Sequence, residues 1–255
     1  MKNFLNIFLA LFVVITLSGC TKTTTLRTTH DYRQTLVKSN HMATLPPLVE
    51  VNSIDASGKA TRKHDYEYEL EDTITDVLIA KLHQKGYKAK PINKRQIHDL
   101  KLSRHVLTFQ EDYQLAINKL YDPLLLEEKK AFAIDIPPLR DDATALTKAT
   151  EADNVIFVEY YARIKTSGAN TADFAKNFAR SVLTGGVAST SIEDAAEFLS
   201  IRVAIIDAIT HKIIWSNLAR DGYSTFSSTF TASNKLDRKR ISQLLDVILE
   251  KLPAK

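Results

Sequence analysis

The stretch FLSIRVAIIDAITHKIIWSN, residues 198–217, decides the fold of this chain. Its first half alternates apolar side chains with polar or small ones, which is typical of a strand with one buried face. A further strand is predicted at Lys212–Asn217, after a tight turn. Such a short connection permits only antiparallel pairing, because a parallel crossover needs a dozen residues or more. The residues on the predicted buried face are Leu199, Ile201, Val203 and Ile205.

Further elements are predicted on the N-terminal side of this hairpin. Apolar residues recur at helical spacing between Tyr66 and Lys85, and Gly86 stands where a helix C′ residue belongs. Another helical pattern begins at Tyr113 and should stop or kink at Pro123. Strands are predicted at Leu48–Ile54, at Tyr87–Ile92 near a sheet edge because of Pro91, and at Asn154–Lys165; further helices are predicted at Asp141–Ala152 and from Asn234 to Leu252. The pattern predicts an α/β fold with a mixed sheet of about five strands flanked by helices.

The N-terminus carries an export signal. After Lys2, an apolar run from Phe4 to Leu17 has the length of a signal-peptide core and is shorter than the roughly 20 residues of a membrane-spanning helix. The run ends in Leu17, Ser18, Gly19 and Cys20, which resembles the lipobox of bacterial lipoproteins. The alternative interpretation is a short membrane anchor with an incidental cysteine.

The lipobox resemblance implies a modified N-terminus. It implies a signal peptide over residues 1–19, cleavage behind Gly19 and acylation of Cys20, for example by palmitate. Thr21, where Asp would favour retention in the inner membrane, favours an outer-membrane protein with its domain in the periplasm. Cys20 is the only cysteine, so no disulfide or cysteine metal site is expected.

Residues 20–44 are interpreted as a lipidated cysteine followed by a flexible tether, because they are rich in Thr and Ser without an apolar period. The periplasmic α/β domain is then expected over residues 45–255. Removal of residues 1–19 takes away one lysine and no acid, so the formal net charge falls from +4 to +3. This mild, interleaved charge does not predict nucleic-acid binding.

The hairpin also carries a family resemblance. A lipobox, an early Pro-Pro strand and a late strand ending in Asp207, with Thr210 in the turn and Trp215 closing the return strand, resemble one group of envelope lipoproteins. That group contains the CsgG-like, TolB N-terminal-like and penicillin-binding-protein activator lipoproteins. His211 replaces the glycine that is usual in the turn, and His tolerates left-handed backbone geometry better than most residues.

An amphipathic segment follows the Asn154–Lys165 strand. Phe174, Phe178 and Val182 lie on its apolar face at helical spacing, within residues 169–190. One interpretation is a crossover helix packed on the sheet; the other is a surface helix used for self-association or membrane contact. These three residues are the candidate interface.

Catalytic and metal motifs are not found in the sequence. The seven histidines do not form HExxH or an ordinary zinc spacing, and no nucleophile elbow, Walker A loop or GxGxxG is present. No cofactor is predicted. Four tyrosines could line a glycan-binding surface or pack in a core: Tyr113, Tyr121, Tyr160 and Tyr161.

Three hypotheses for the function follow. The first is a non-enzymatic lipoprotein, held by membrane lipid through acylated Cys20, that binds envelope protein partners or further copies of itself in an assembly, secretion or peptidoglycan-synthesis machine. The second is a lipoprotein that binds a soluble ligand or glycan. The third is a hydrolase with an unrecognised site. A concave pocket with converging polar groups would favour the second and third hypotheses.

Overall fold

Eight strands and six helices make up the part of the chain that the structure describes. The structure is a computed structural model, and it describes residues 23–55, 57–122, 138–139, 142–165, 198–222 and 238–255. The strands are β1 (Thr23–Thr28), β2 (His41–Thr44), β3 (Leu48–Ile54), β4 (Ala60–Arg62), β5 (Lys88–Pro91), β6 (Asn154–Lys165), β7 (Phe198–Asp207) and β8 (Ile213–Gly222). The helices are α1 (Tyr32–Lys38), α2 (His64–Gln84), α3 (Lys94–Asp99), α4 (Ser103–Leu120), α5 (Asp142–Thr150) and α6 (Arg238–Leu249).

All eight strands belong to one mixed sheet, in the order β1-β8-β7-β6-β2-β5, with β3 and β4 off this path. Strand β6 is the longest, and it has two parallel neighbours on the same side: β2 along its first residues and β3 along its second half. Pro46 and Pro47 separate these two neighbours, because proline cannot donate to the ladder. Strands β6, β7, β8 and β1 pair antiparallel to one another.

Helices cover both faces of the sheet. One core lies under α2 and α6 and contains the fully buried Trp215 together with the predicted face of β7. The other core lies under α3, α4 and α5 and contains Phe109, Tyr113 and Phe157 in aromatic contact. The predicted α/β class, with a mixed sheet flanked by helices, is confirmed.

The hairpin that decided the fold forms as predicted. Strands β7 and β8 pair antiparallel in one register from Phe198 to Ile205, and the register shifts between Ile205 and Ile206. The Asp207 carboxylate accepts hydrogen bonds from the backbone N–H and the hydroxyl of Thr210, at 2.8 and 2.6 Å. His211 adopts the expected left-handed conformation with φ +55°, and Gly86 ends α2 with φ +90°.

Residues 23–44 correct one prediction. A flexible tether was predicted over 20–44, whereas the structure places a strand, a helix and a second strand within residues 23–44, so the described fold includes residues before 45. Threonine-rich sequence suits a strand, because β-branched residues pack well on a pleated surface. Leu36 and Met42 are fully buried in the core. With β4 as a third unpredicted strand, the described part of the sheet has eight strands where about five were expected.

Strands β6 and β7 are antiparallel neighbours. The connection between them therefore needs no crossover helix, and residues 166–197 lie outside the described residues. Within the described ranges, none of the helices has the length and hydropathy needed to cross a membrane.

Candidate functional site

The predicted site residues fall outside the described part of the chain. Leu17, Ser18, Gly19 and Cys20 precede Thr23, and Phe174, Phe178 and Val182 lie between β6 and β7. Their roles stay predictions. The structure does show where the neighbouring chain enters and leaves the sheet.

Both regions adjoin the same end of the sheet. Thr23 pairs with Arg220 near the end of β8, and Arg163 near the end of β6 pairs with Phe198 at the start of β7. We call the end marked by Thr23, Ile54, Lys165, Phe198 and Gly222 the Thr23 end of the sheet. Cys20 lies three residues before Thr23, so their Cα atoms are at most about 10 Å apart.

Near this end, the face of the sheet that carries α4 is lined with polar side chains. Tyr161, Ser200 and Arg220 stand side by side in one row across β6, β7 and β8. Arg163 lies two residues further along β6, on the same face. We call this set of four residues the arginine row. Arg220 is exposed, and the other three are half-buried.

A denser polar cluster lies between the arginine row and α4. Arg202 Nη1 donates to Glu159 Oε2 at 2.8 Å, and the Tyr113 hydroxyl donates to the same oxygen at 3.1 Å. Gln114 Nε2 donates to Glu159 Oε1. Both charged side chains are only 16–17% exposed. Burial and the neighbouring Glu159 carboxylate raise the pKa of Tyr113 well above its ordinary value, so this phenol stays protonated.

Tyr121 connects this cluster to β1. The guanidinium carbons of Arg202 and Arg27 lie 4.9 and 5.6 Å from its ring centroid. Its hydroxyl donates to the Thr25 carbonyl oxygen at 3.0 Å. Burial raises the pKa of Tyr121 to about 12. Because Glu159 already accepts from three side chains, the cluster is suited to fixing α4 and β1 on the sheet, and not to proton transfer.

A second occupied carboxylate fixes the β3–β4 hairpin. Glu67, near the start of α2, is 5% exposed. It accepts from Arg62 Nε at 2.7 Å, from the Val51 backbone N–H at 3.1 Å and from His64 Nδ1 at 2.9 Å. Burial opposes ionisation, but these hydrogen bonds outweigh it and hold the pKa of Glu67 below its ordinary value.

Grooves among the described residues lie around β2 and β5. One, of about 340 Å³, lies beyond the carboxyl ends of β2 and β5, where open α/β sheets commonly bind ligands. Two charged side chains that line this groove pair with each other, since Lys94 Nζ lies 2.6 Å from Glu71 Oε2. A second groove, of about 190 Å³, lies between β2, β5 and α5. Neither groove is lined by Glu67 or Glu159.

Other tyrosine and histidine side chains with a possible binding role make structural contacts. Tyr113, Tyr121 and Tyr160 are buried and cannot form the glycan-stacking surface considered above. His105 Nδ1 lies 2.7 Å from Asp142 Oδ1, which links α4 to α5. Within the described ranges, no three His, Cys, Asp or Glu side chains lie close enough together to hold a metal ion.

Exposed apolar side chains are found on α4. Leu107 and Leu115 are 62% and 73% exposed, and they stand two turns apart on the solvent side of the helix. Isolated exposed leucines are ordinary on a protein surface, so the pair identifies a position to probe and not a site.

Sequence reasoning missed the arginine row and the Glu159–Arg202 pair. The available signal was the polar half of the alternation in β6 and β7. Because the cross-strand register was unknown, the opposite charges at 159 and 202 could not be placed opposite each other.

Comparison with known proteins gives likeness only among solved structures. No protein-family model matches the chain, and no curated protein matches it. A PelC dodecamer from Paraburkholderia phytofirmans is 9% identical, with a TM-score of 0.39, over 91% of this chain and 98% of that chain. Lipoprotein GNA1162 from Neisseria meningitidis is 12% identical, with a TM-score of 0.31, over 84% of this chain and 97% of that one. The LpoB C-terminal domain from Salmonella enterica is 11% identical, with a TM-score of 0.30, over 76% and 92%. The solved structures that the chain resembles therefore include a lipoprotein.

Proposed function

We propose that this chain is a lipoprotein of the outer membrane, acylated at Cys20, whose periplasmic α/β domain binds protein partners without catalysing a reaction. The observation that carries the proposal is the position of Thr23. Thr23 opens the edge strand β1 three residues after Cys20, and β1 pairs with β8 along its whole length. The acyl chains would thus be attached almost directly to the sheet, and the domain would be held at the membrane surface.

The occupied polar groups support a binding role over a catalytic one. Glu67 and Glu159, the two carboxylates described above, each accept from three donors, which leaves neither as an available base or nucleophile. The partners would be protein components of an envelope assembly, secretion or peptidoglycan-synthesis machine, or further copies of this chain.

Acylation is tested by labelling cells with an alkyne-bearing palmitate analogue. We expect the wild-type chain and a Thr21→Ser control to be labelled and processed, and Cys20→Ser to accumulate as unlabelled precursor. Normal labelling of Cys20→Ser would refute the anchor. Thr21→Asp should move the protein from the outer to the inner membrane in a density gradient, whereas an unchanged distribution would refute outer-membrane sorting by Thr21.

Partner binding is tested by photo-cross-linking in intact cells. A photoreactive residue would be placed at Leu107, Leu115 or the predicted interface residue Phe174, with exposed Lys88 as the matched control position. We expect one reproducible set of envelope proteins, or a ladder of homo-oligomers, from at least one of the three positions and not from Lys88. A monomer at all positions, in cells that label normally with palmitate, would refute the partner-binding role.

A further inference from the structure

The arginine row lies beside the point where the chain joins its anchor. Arg220 is the cross-strand partner of Thr23, and paired Cα atoms in an antiparallel ladder lie about 5 Å apart. With the three residues from Cys20 to Thr23 added, Arg220 is at most about 15 Å from the predicted acylation site. Lys22 adds another cation to the same short connection.

Arg163 and Arg220 can act on one ligand. They lie on the same face, two strands and two residues apart, so their Cα atoms are about 12 Å from each other. Ser200 lies between them on β7, in register with Arg220. A guanidinium group presents several N–H donors in a planar fork that fits phosphate oxygens. Two such groups with a hydroxyl between them form a suitable site for a phosphate.

The two arginines are available for such a ligand. Among the side chains that the structure describes, no carboxylate forms an ion pair with either arginine, and Arg163 Nε is a buried nitrogen without a hydrogen-bond acceptor. Arg202, by contrast, is paired with Glu159. Leaving a buried charged donor without an acceptor is costly, so an external acceptor would stabilise Arg163.

We propose that Arg163 and Arg220 bind the phosphate of an anionic phospholipid in the membrane that holds the acyl anchor. This inference rests on the proposed function, because the acylated Cys20 is what brings the Thr23 end of the sheet to the bilayer. The lipid contact orients the domain, with the Thr23 end towards the head groups. The opposite end, near Lys88 and Asn154, then faces away from the membrane; β6 alone separates the two ends by about 36 Å.

Vesicle binding tests the lipid contact without the acyl chains. The probe protein is the mature chain, residues 20–255, carrying Cys20→Ser, and the vesicles contain equal parts of phosphatidylglycerol and phosphatidylcholine. We expect sedimentation with these vesicles and not with phosphatidylcholine alone. Each arginine near an anionic surface contributes about fivefold to binding, so Arg220→Gln should weaken it about fivefold, and Arg163→Gln with Arg220→Gln about 30-fold.

The matched control removes the same charge from the other end of the molecule. Lys88→Gln with Lys90→Gln changes two exposed lysines on β5, far beyond the Debye length from the arginine row, and should leave vesicle binding unchanged. Equal weakening by both double variants would refute a specific site, as would unchanged binding of the folded Arg220→Gln protein. Binding of inorganic phosphate by the probe protein, lost in the double arginine variant, together with no sedimentation with phosphatidylglycerol vesicles would reassign the site to free phosphate and refute the lipid ligand. Failure of the anchor itself is detected separately by the palmitate labelling.

Discussion

Replacing Glu67 by Gln should lower the free energy of unfolding by about 2 kcal/mol. The substitution keeps one oxygen for the Val51 N–H and Arg62 Nε, but it removes the negative charge that receives Arg62 and His64, and it places an amide N–H₂ group against His64 Nδ1. A hydrogen bond to a charged group contributes about 1.5–3 kcal/mol. Two such bonds would contribute at least about 3 kcal/mol, but Arg62 is 49% exposed and His64 is 64% exposed, so solvent screening lowers the expected loss to about 2 kcal/mol.

Urea unfolding followed by circular dichroism measures this loss. The protein would be the mature chain with Cys20→Ser, and the matched control is Glu69→Gln, an exposed glutamate on the same helix. The control should change the free energy of unfolding by less than about 0.5 kcal/mol. If Glu67→Gln costs no more than Glu69→Gln, the carboxylate does not hold the β3–β4 hairpin on α2.

The pH dependence gives an independent check with a defined sign. The pKa of Glu67 is lowered in the folded state, so its contribution is present above the unfolded value of about 4.3 and is lost as the pH falls through the folded value. The difference between wild type and Glu67→Gln should therefore be full near pH 7 and shrink below about pH 4. A difference that grows on acidification would contradict the assigned hydrogen bonds.

Three further substitutions test other parts of the fold by the same urea assay. Glu159→Ala should cost about 3 kcal/mol, because it leaves Arg202 largely buried without its carboxylate; a loss below about 1 kcal/mol would show that the cluster is dispensable. Lys101→Gly should raise the free energy of unfolding by about 0.5–1 kcal/mol, since Lys101 is exposed with φ +57°, and destabilisation would show that its side chain stabilises the turn. Asn217→Ala should cost about 1–2 kcal/mol, because Asn217 Nδ2 donates to the Ile248 carbonyl oxygen at 2.8 Å and ties β8 to α6; an unchanged midpoint would contradict that tie.

Elements with a long apolar period were predictable from the sequence. Helix α2 and hairpin β7–β8 contain enough periodic apolar residues to fix both their type and their buried face. The left-handed residue at His211 was expected from the family resemblance, in which this turn position is usually a glycine. Pro91 correctly indicated an edge strand, since β5 ends the sheet.

The N-terminal elements could not be predicted, because their pairing partners are distant in sequence. Strand β1 contains mostly threonine, and only its register with β8, about 190 residues away, makes it a strand. Strand β2 is four residues long, too short for a period to show. The arginine row depends on the same long-range register, so the polar positions of β6 and β7 were visible but their grouping was not.

The pairing of β1 also sets how the domain responds to a pulling force. Six consecutive residue pairs join Thr23–Thr28 to β8, and the predicted lipid attachment precedes the strand by three residues. A partner that drew the domain away from the bilayer would load β1 along its length, and the ladder hydrogen bonds run perpendicular to that direction. These hydrogen bonds would be loaded together in shear and would not break one after another. The domain could therefore transmit tension from partner to membrane without unravelling from its first strand.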